Sequence, residues 1–167
     1  MALLVKEGFG QLEPNHLSAQ RNGQLYAQLP CEASIEVLQN AQFAKYDYAK
    51  GEVNFTGAGE WMLVYNEVKL YDPKHSYKDF ALQKKNFVDG VMVPRVMKTM
   101  VGDIFTTNLV DPKEKDSTLA AGDKLVVGTK GILEYSASPE EGAMVWQVAK
   151  VYTMADGQPA VKIQRIA

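Results

Sequence analysis

The sequence contains few of the residues from which metal sites, disulfides and nucleophilic centres are built. Among its 167 residues there are one cysteine, Cys31, and two histidines, His16 and His75. A single cysteine excludes an internal disulfide, and the two histidines match no zinc-binding spacing. Because 46% of the residues are hydrophobic, the chain can fold on an apolar core alone, and we expect no cofactor.

An excess of one charge and long hydrophobic runs are lacking as well. The 18 basic and 20 acidic residues give a net charge of -2, which argues against binding to nucleic acid or to an anionic membrane. The longest apolar run, at 61–65, is far shorter than the roughly 20 residues of a membrane-spanning helix. The N-terminal MALLVKEGFG lacks the pattern of a secretory signal. We therefore expect a soluble protein made in a reducing cytoplasm.

What the sequence does have is strand patterning. Apolar and polar residues alternate, or apolar residues run together, in short segments bounded by turn residues. The predicted strands are 24–29, 43–48, 52–56, 61–71, 91–97, 103–107, 124–127, 132–135, 144–154 and 160–166. The length suits one domain. We predict a mainly β, single-domain barrel or sandwich of about eight to ten strands over residues 23–167.

Turn residues predict how several strands connect. Gly51 ends a three-residue connection that suits a hairpin with a bulge, and Asp156-Gly157 is typical of a two-residue hairpin turn. VGDIF at 101–105 repeats as AGDKL at 121–125, which predicts two similar turns that lead into strands. Pro94 should keep its segment at a sheet edge or a bulge.

Two segments depart from strand patterning. Residues 1–22 carry apolar residues with neither a helix nor a strand period, which predicts an extended N-terminal arm that becomes ordered on a neighbouring subunit. Residues 72–86 (DPKHSYKDFALQKKN) begin with a capping Asp-Pro and carry a short apolar stripe, which favours one short helix, with an ordered loop as the alternative.

The residues that could carry catalysis have simpler structural explanations. Cys31 follows a proline at a strand end with no motif around it, which indicates a structural thiol. Asp47 and Glu52 could form an acid pair across a hairpin, but a surface with 20 acidic residues places some of them side by side in any case. We therefore predict that the protein is not an enzyme.

Three other segments bear a weak likeness to ligand sites. GAG at 57–59 lies between strands and so lacks the helix N-terminus of a phosphate loop. DPKEKDS at 111–117 lacks the glycine and the closing glutamate of a calcium loop. Lysines alternate with aromatic residues between 69 and 98, but acidic residues among them favour a solvated face or a protein contact over nucleic acid.

The C-terminal third, GDKLVVGTKGILEYSASPEEGAMVWQVAKVYTMADGQPAVKIQRI, resembles the β modules of tailed-bacteriophage structural proteins, especially head decoration or auxiliary capsid proteins. The shared pattern is a Gly-Asp entry, a strand, a glycine-containing turn, another strand and a closing hairpin. VPRVMKTMVGDIFTTNLV and KYDYAKGEVNFTGAGEWMLVYNEVKLYD are similar to phage virion proteins too. Residues 72–90 depart from compact decoration modules.

This resemblance implies a non-enzymatic protein that binds and stabilises the capsid shell in many symmetry-related copies. Its partners would be the major capsid protein and copies of itself, and its location the capsid surface of the virion, with the host cytoplasm during assembly. The candidate partner contacts are Leu3, Leu4, Phe9 and Leu12 in the arm, and Tyr71, Tyr77 and Phe80.

Two alternatives remain open at this point. A phage tail or connector component would form a ring or tube instead of covering a shell. A carbohydrate-binding module or small hydrolase would require a concave site lined by Trp61 or Trp146 with carboxylates beside it.

Overall fold

The computed structural model describes residues 4–6, 8–14, 24–66, 81–115 and 118–167. In these residues the chain is mainly β, with no α-helix and with 3-10 turns at Lys84–Asn86 and Lys113–Lys115. The strands are β1 (Leu12–Glu13), β2 (Leu25–Tyr26), β3 (Val37–Leu38), β4 (Phe43–Asp47), β5 (Glu52–Asn54), β6 (Met62–Val64), β7 (Leu82–Gln83), β8 (Val96–Met97), β9 (Ile104–Thr107), β10 (Val110–Asp111), β11 (Lys124–Val127), β12 (Leu133–Tyr135), β13 (Val145–Thr153) and β14 (Pro159–Arg165). The predicted mainly β, single-domain class is confirmed.

The strands form three sheets. A seven-stranded sheet has the order β1-β9-β14-β13-β11-β12-β10, and a five-stranded sheet has the order β2-β8-β6-β4-β5. The pair β3-β7 forms a small third sheet. Neighbouring strands are antiparallel except β10 and β12, which are parallel. Among these strands only β4-β5, β11-β12 and β13-β14 are hairpins of consecutive strands. The other pairs join strands that are farther apart in the sequence.

The two large sheets share one core. Phe43 of the five-stranded sheet and Phe105 and Trp146 of the seven-stranded sheet are each 0% exposed and lie in a single cluster. The next residue after Phe43, Ala44, belongs to a second cluster on the opposite face of the five-stranded sheet. Successive strand residues point to opposite faces, so this sheet is buried on both sides. Burial on both sides explains why β6 has no polar residue. It agrees with the apolar run at the start of the strand predicted at 61–71.

The repeated Gly-Asp motif forms the same turn twice. In each copy the backbone N–H of the aspartate, Asp103 or Asp123, donates to the carbonyl three residues earlier. The glycine before each aspartate has positive φ, 99° at Gly102 and 95° at Gly122. These features define a type II turn, whose third residue requires positive φ. Each aspartate carboxylate also accepts the N–H of the first turn residue at 2.8 Å. The prediction of two similar turn-to-strand entries is confirmed.

Both predicted hairpins are present. Tyr46 pairs with Val53 in the β4-β5 hairpin, where Gly51 has φ of 69°. The β13-β14 hairpin closes through a three-residue loop, because Met154 N–H donates to the carbonyl of Gln158 at 2.9 Å. Only Gly157 of this loop has positive φ, at 83°. The prediction of a two-residue turn is therefore wrong, although the predicted hairpin is present.

The prediction of a helix over residues 72–86 is wrong for residues 81–86, the part of this range that the structure describes. Leu82–Gln83 is strand β7, which pairs with β3, and Lys84–Asn86 is a 3-10 turn. Pairing with a distant strand therefore overrides the local helical pattern at this end. Residues 72–80 lie outside the described residues, as does the end of the long strand predicted at 61–71.

The predicted N-terminal arm is not separate from the domain. Its described part contributes β1 to the edge of the seven-stranded sheet, with Leu12 opposite Thr107 and Glu13 opposite Thr106. Residues 4–6 and 8–14 are thus ordered on the chain's own domain and not on a neighbouring subunit, although only Leu12–Glu13 among them pair as a strand.

Candidate interaction surfaces

Leu4 is part of the protein's own core. Its side chain is 4% exposed in the main cluster, and its N–H donates to the carbonyl of Val110 at 3.2 Å. A side chain enclosed by its own domain has no surface to offer a partner. The structure therefore places Leu4, one of the predicted partner contacts, in the core and not at the surface.

The rest of the described N-terminal segment also lies against the domain. A Cβ at Gly10 would lie 2.7 Å from the Cβ of Leu109, so glycine permits this close approach. Leu12 packs, half-buried, against the main core, and Phe9 is half-buried as well. Both retain some surface for a partner, but neither belongs to a free arm.

Buried polar side chains, and not regular strand pairing, bind the backbone of this segment to the domain. Asn108, 0% exposed, accepts the N–H of Gln11 at 2.7 Å, and Gln158, 5% exposed, accepts the N–H of Lys6 at 3.0 Å. The carboxylate of Asp156 accepts the side-chain amides of Gln158 at 2.7 Å and Gln11 at 2.9 Å. These hydrogen bonds, that from Gln158 first, lower the pKa of Asp156. Side chains distant in sequence thus accept the backbone N–H groups that do not take part in strand pairing.

The buried position of Leu4 leads to a stability prediction. Leu4→Ala should lower the free energy of unfolding by about 2–3 kcal/mol, because it removes core contacts and leaves a cavity. Val88→Ala is the control, since Val88 is fully exposed and its truncation should change stability by less than about 0.5 kcal/mol. Urea unfolding followed by circular dichroism measures both. Equal effects would place Leu4 outside the core.

The other predicted contacts cannot be placed. Leu3, Tyr71, Tyr77 and Phe80 lie outside the described residues. They remain predictions.

Asp47 and Glu52 do face each other, at the end of the β4-β5 hairpin. Asn54 donates its side-chain amide to Glu52 at 3.1 Å and to Asp47 at 3.4 Å. The other oxygen of Asp47 accepts the N–H groups of Ala49 and Lys50 in the turn, at 3.1 and 3.2 Å. The two carboxylates are thus engaged in closing the hairpin, which favours the structural interpretation over acid-base catalysis.

Cys31 has the environment of a structural thiol. Its N–H donates to Met92 at 2.7 Å, and its backbone forms a parallel bridge with Val53 beside the five-stranded sheet. Burial raises the pKa of the thiol to about 12, so the thiolate needed for nucleophilic attack is scarce at neutral pH. Both histidines lie outside the described residues.

The side-chain hydrogen bonds at 57–59 and at 111–117, the two loops that resemble ligand sites, stabilise turns. The side-chain oxygen of Asn54 accepts the N–H of Gly57 at 2.7 Å, which closes the turn that leads from β5 into 57–59. Asp111 is 4% exposed and accepts the N–H of Lys113 at 2.9 Å. Among the described residues no group of three or more His, Cys, Asp or Glu could hold a metal ion.

Neither tryptophan forms an open aromatic platform. Trp146 is 0% exposed, and Lys45 lies over the ring of Trp61 at 4.5 Å from its centroid. A carbohydrate site would need an exposed ring face on which a sugar could stack. The predicted requirement for that alternative is therefore not met at Trp146, and at Trp61 a lysine occupies one face of the ring.

An exposed apolar segment follows the first 3-10 turn. Val88 is 110% exposed, and Val91 and Val93 are each 45% exposed, whereas Met92 between them is 2% exposed. The carbonyl of Met92 accepts the N–H of Cys31, and Asp89 accepts the N–H of Val91 at 3.0 Å. We call residues 88–93 the valine segment. The sequence pattern predicts a strand here, but strand β8 begins only at Val96, and the alternation does not tell which face is covered.

A shallow cavity of about 390 Å³ lies beside the last strand. Lys124, Glu140, Val145 and Ile166 are among the residues that line it. It is open to solvent and has only two charged side chains in its lining. It therefore offers little to fix the orientation of a small ligand.

Within the ranges that the structure describes, no helix is long and apolar enough to cross a membrane. Comparison of the chain with protein-family profiles, curated proteins and solved structures finds no match.

Proposed function

We propose that this protein is a non-enzymatic structural protein of a tailed-bacteriophage virion, a head decoration protein that binds and stabilises the shell of the major capsid protein. The sequence resemblance suggests this role. The valine segment is the single structural observation that supports it, because it offers an apolar contact that the described part of the chain leaves uncovered.

The valine segment is suited to a protein contact because it is both exposed and anchored. Met92 is buried in the second cluster, and the hydrogen bond from Cys31 fixes its carbonyl. Val91 and Val93 are therefore presented on an ordered backbone, and binding them requires little additional loss of conformational freedom. Exposed apolar residues that lie together mark a contact more strongly than scattered ones.

Each copy needs only a small contribution from this contact. Fully covering one exposed valine is worth about 1.5–3 kcal/mol, and Val91 and Val93 are already half-buried, so one valine segment alone binds weakly. A symmetric shell presents the same contact many times, and copies that also touch each other would bind with avidity. The valine segment would then contribute to cementing neighbouring capsid subunits.

The experiment mixes the purified full chain with empty shells assembled from a tailed-phage major capsid protein and measures bound copies per shell by sedimentation. We expect saturable binding at a stoichiometry fixed by the shell symmetry. Val88→Ser/Val91→Ser should reduce the affinity at least tenfold. Val101→Ser/Val151→Ser is the matched control, because Val101 is 66% and Val151 49% exposed elsewhere on the surface.

Three results would contradict the proposal. The first is no binding by the unaltered chain, and the second is equal loss of binding in both double variants. The third is a closed ring of fixed stoichiometry formed by the protein alone, which would favour the tail or connector alternative.

A further inference from the structure

The outer face of the seven-stranded sheet carries a cluster of lysines and glutamines. In the β13-β14 ladder Lys150 lies directly opposite Lys162, and Gln147 lies opposite Gln164. Lys124 of β11 lies opposite Gln147. Directly opposed residues of an antiparallel pair share a face, so these five side chains lie together. We call them the basic face.

A β-bulge creates this arrangement. The register shifts between Val148 and Lys150, where β13 has one residue more than β14. Val148 is 1% exposed in the core, and Ala149 and Lys150 are exposed. If β13 were regular here and kept all its residues, strict alternation from Gln147 would turn Lys150 toward the core. The bulge therefore brings Lys150 beside Lys162.

Among the described residues, the lysines of the basic face have no carboxylate partners. Elsewhere in the described chain Lys50, Lys84, Lys98, Lys113 and Lys115 each form an ion pair with Asp or Glu. No such pair forms at Lys124, Lys150 or Lys162 within the described ranges. The nearest acid to Lys124 in register is Glu134 on the neighbouring strand, opposite Val126 and so diagonal to Lys124, but it is paired with Lys113. The nearest acid to Lys162 in register is Glu13, two strands away through Thr106, or about 10 Å at the usual strand spacing.

The pair formed by Lys150 and Lys162 is unfavourable for the isolated fold. Like charges directly opposite each other destabilise a sheet, whereas opposite charges there stabilise it. A glutamate at either position would relieve the repulsion without disturbing the core. Folding stability therefore does not explain this pair, but an anionic partner would.

We propose that the basic face is a docking surface for an acidic segment of another protein. Carboxylates of that segment would lie between Lys150 and Lys162 and at Lys124, and the amides of Gln147 and Gln164 would donate to and accept from its backbone. A short acidic peptide suits a patch of three lysines better than a nucleic acid does, because the net charge of -2 repels an extended polyanion.

This surface is separate from the valine segment. The basic face lies on the side of the seven-stranded sheet away from the main core, whereas Met92 and Phe87 next to the valines belong to the second cluster, behind the five-stranded sheet. The inference does not rest on the proposed shell contact, and one molecule could bind a partner on each side.

The test uses a synthetic peptide of ten glutamates as the probe, titrated calorimetrically at low and high salt. We expect saturable binding that weakens as salt rises. Lys150→Gln/Lys162→Gln should reduce the affinity at least tenfold. Lys85→Gln/Lys130→Gln should change it less than twofold, because it removes the same charge from two lysines that are exposed away from the basic face.

A second readout separates docking from a structural role. Lys162→Glu should raise the thermal unfolding midpoint of the free protein, because it turns a repulsive pair into an attractive one, and should abolish peptide binding. A lower midpoint would overturn the argument that the pair is unfavourable. No peptide binding at low salt, or equal losses in both double variants, would overturn the docking surface. Tighter binding of a ten-nucleotide oligothymidylate through the same lysines would overturn the acidic protein segment as the partner and favour a nucleic acid.

Discussion

Replacing Gly131 with alanine is expected to lower the free energy of unfolding by about 4 kcal/mol, because backbone strain and steric overlap add. Gly131 lies in the turn between β11 and β12, and its carbonyl accepts the N–H of Phe43 at 2.7 Å. Its φ is 70°, and a Cβ there would lie 1.8 Å from the carbonyl oxygen of Phe43. Backbone cannot move aside as a flexible side chain can. The turn must leave β4, which also breaks the bond from the Gln42 side chain to Lys130 at 2.7 Å.

Gly51→Ala is the matched control for this prediction. Gly51 has φ of 69°, close to that of Gly131, but a Cβ there would meet nothing within 4 Å. Its substitution should cost only the strain of a left-handed alanine, about 1–2 kcal/mol. Urea unfolding of the two variants separates strain from overlap. Similar losses in both would mean that the turn does not contact β4 closely.

The close approach at Gly131 explains why part of the fold could not be predicted from the sequence. The Gly-Asp turns and the two hairpins are predictable because their determinants lie within a few residues: a glycine that takes positive φ and an aspartate that accepts a turn N–H. No residue near Gly131 in the sequence predicts that Phe43 will lie against it. Contacts between sheets depend on residues far apart in sequence, and a single turn does not encode them.

The N-terminal segment shows the same limit. Leu3, Leu4, Phe9 and Leu12 follow no period, and an arm is a reasonable interpretation of such a segment. Its partners are buried side chains nearly a hundred residues away or more, in particular Asn108 and Gln158. Neither residue stands out in the sequence, because asparagine and glutamine usually lie at the surface. Only the assembled sheet places them where they accept the N–H groups of Lys6 and Gln11.

The candidate surfaces were partly visible in the sequence. Val91 and Val93 alternate with Met92 as in a strand, but alternation alone does not tell which face a second layer will cover. The lysines of the basic face are visible too, yet Lys150 and Lys162 meet only because of the bulge after Val148. Register is set by pairing across the sheet, and a one-residue irregularity changes which charges become neighbours.

Trp146→Ala is expected to lower the free energy of unfolding by about 3–5 kcal/mol. Trp146 is 0% exposed at the centre of the main core. Its ring stands edge-on to Phe105, with centroids 4.9 Å apart at 75°, and lies 5.8 Å from the ring of Phe43. Removing the indole leaves a cavity between the two sheets that neither backbone can close. Urea unfolding followed by far-ultraviolet circular dichroism measures the loss independently of tryptophan fluorescence.

Trp146→Phe should cost much less, about 1 kcal/mol. The indole Nε1 is buried and meets no hydrogen-bond acceptor among the described residues, and an unsatisfied buried donor costs about 1–3 kcal/mol. Phenylalanine removes that donor and keeps most of the ring contacts, so the two effects oppose each other. Trp61→Phe, at a half-buried position with Lys45 over the ring, has no such compensation and serves as the control. If Trp146→Phe costs as much as Trp146→Ala, the indole N–H has a partner in the folded protein, and the core depends on that bond as well as on packing.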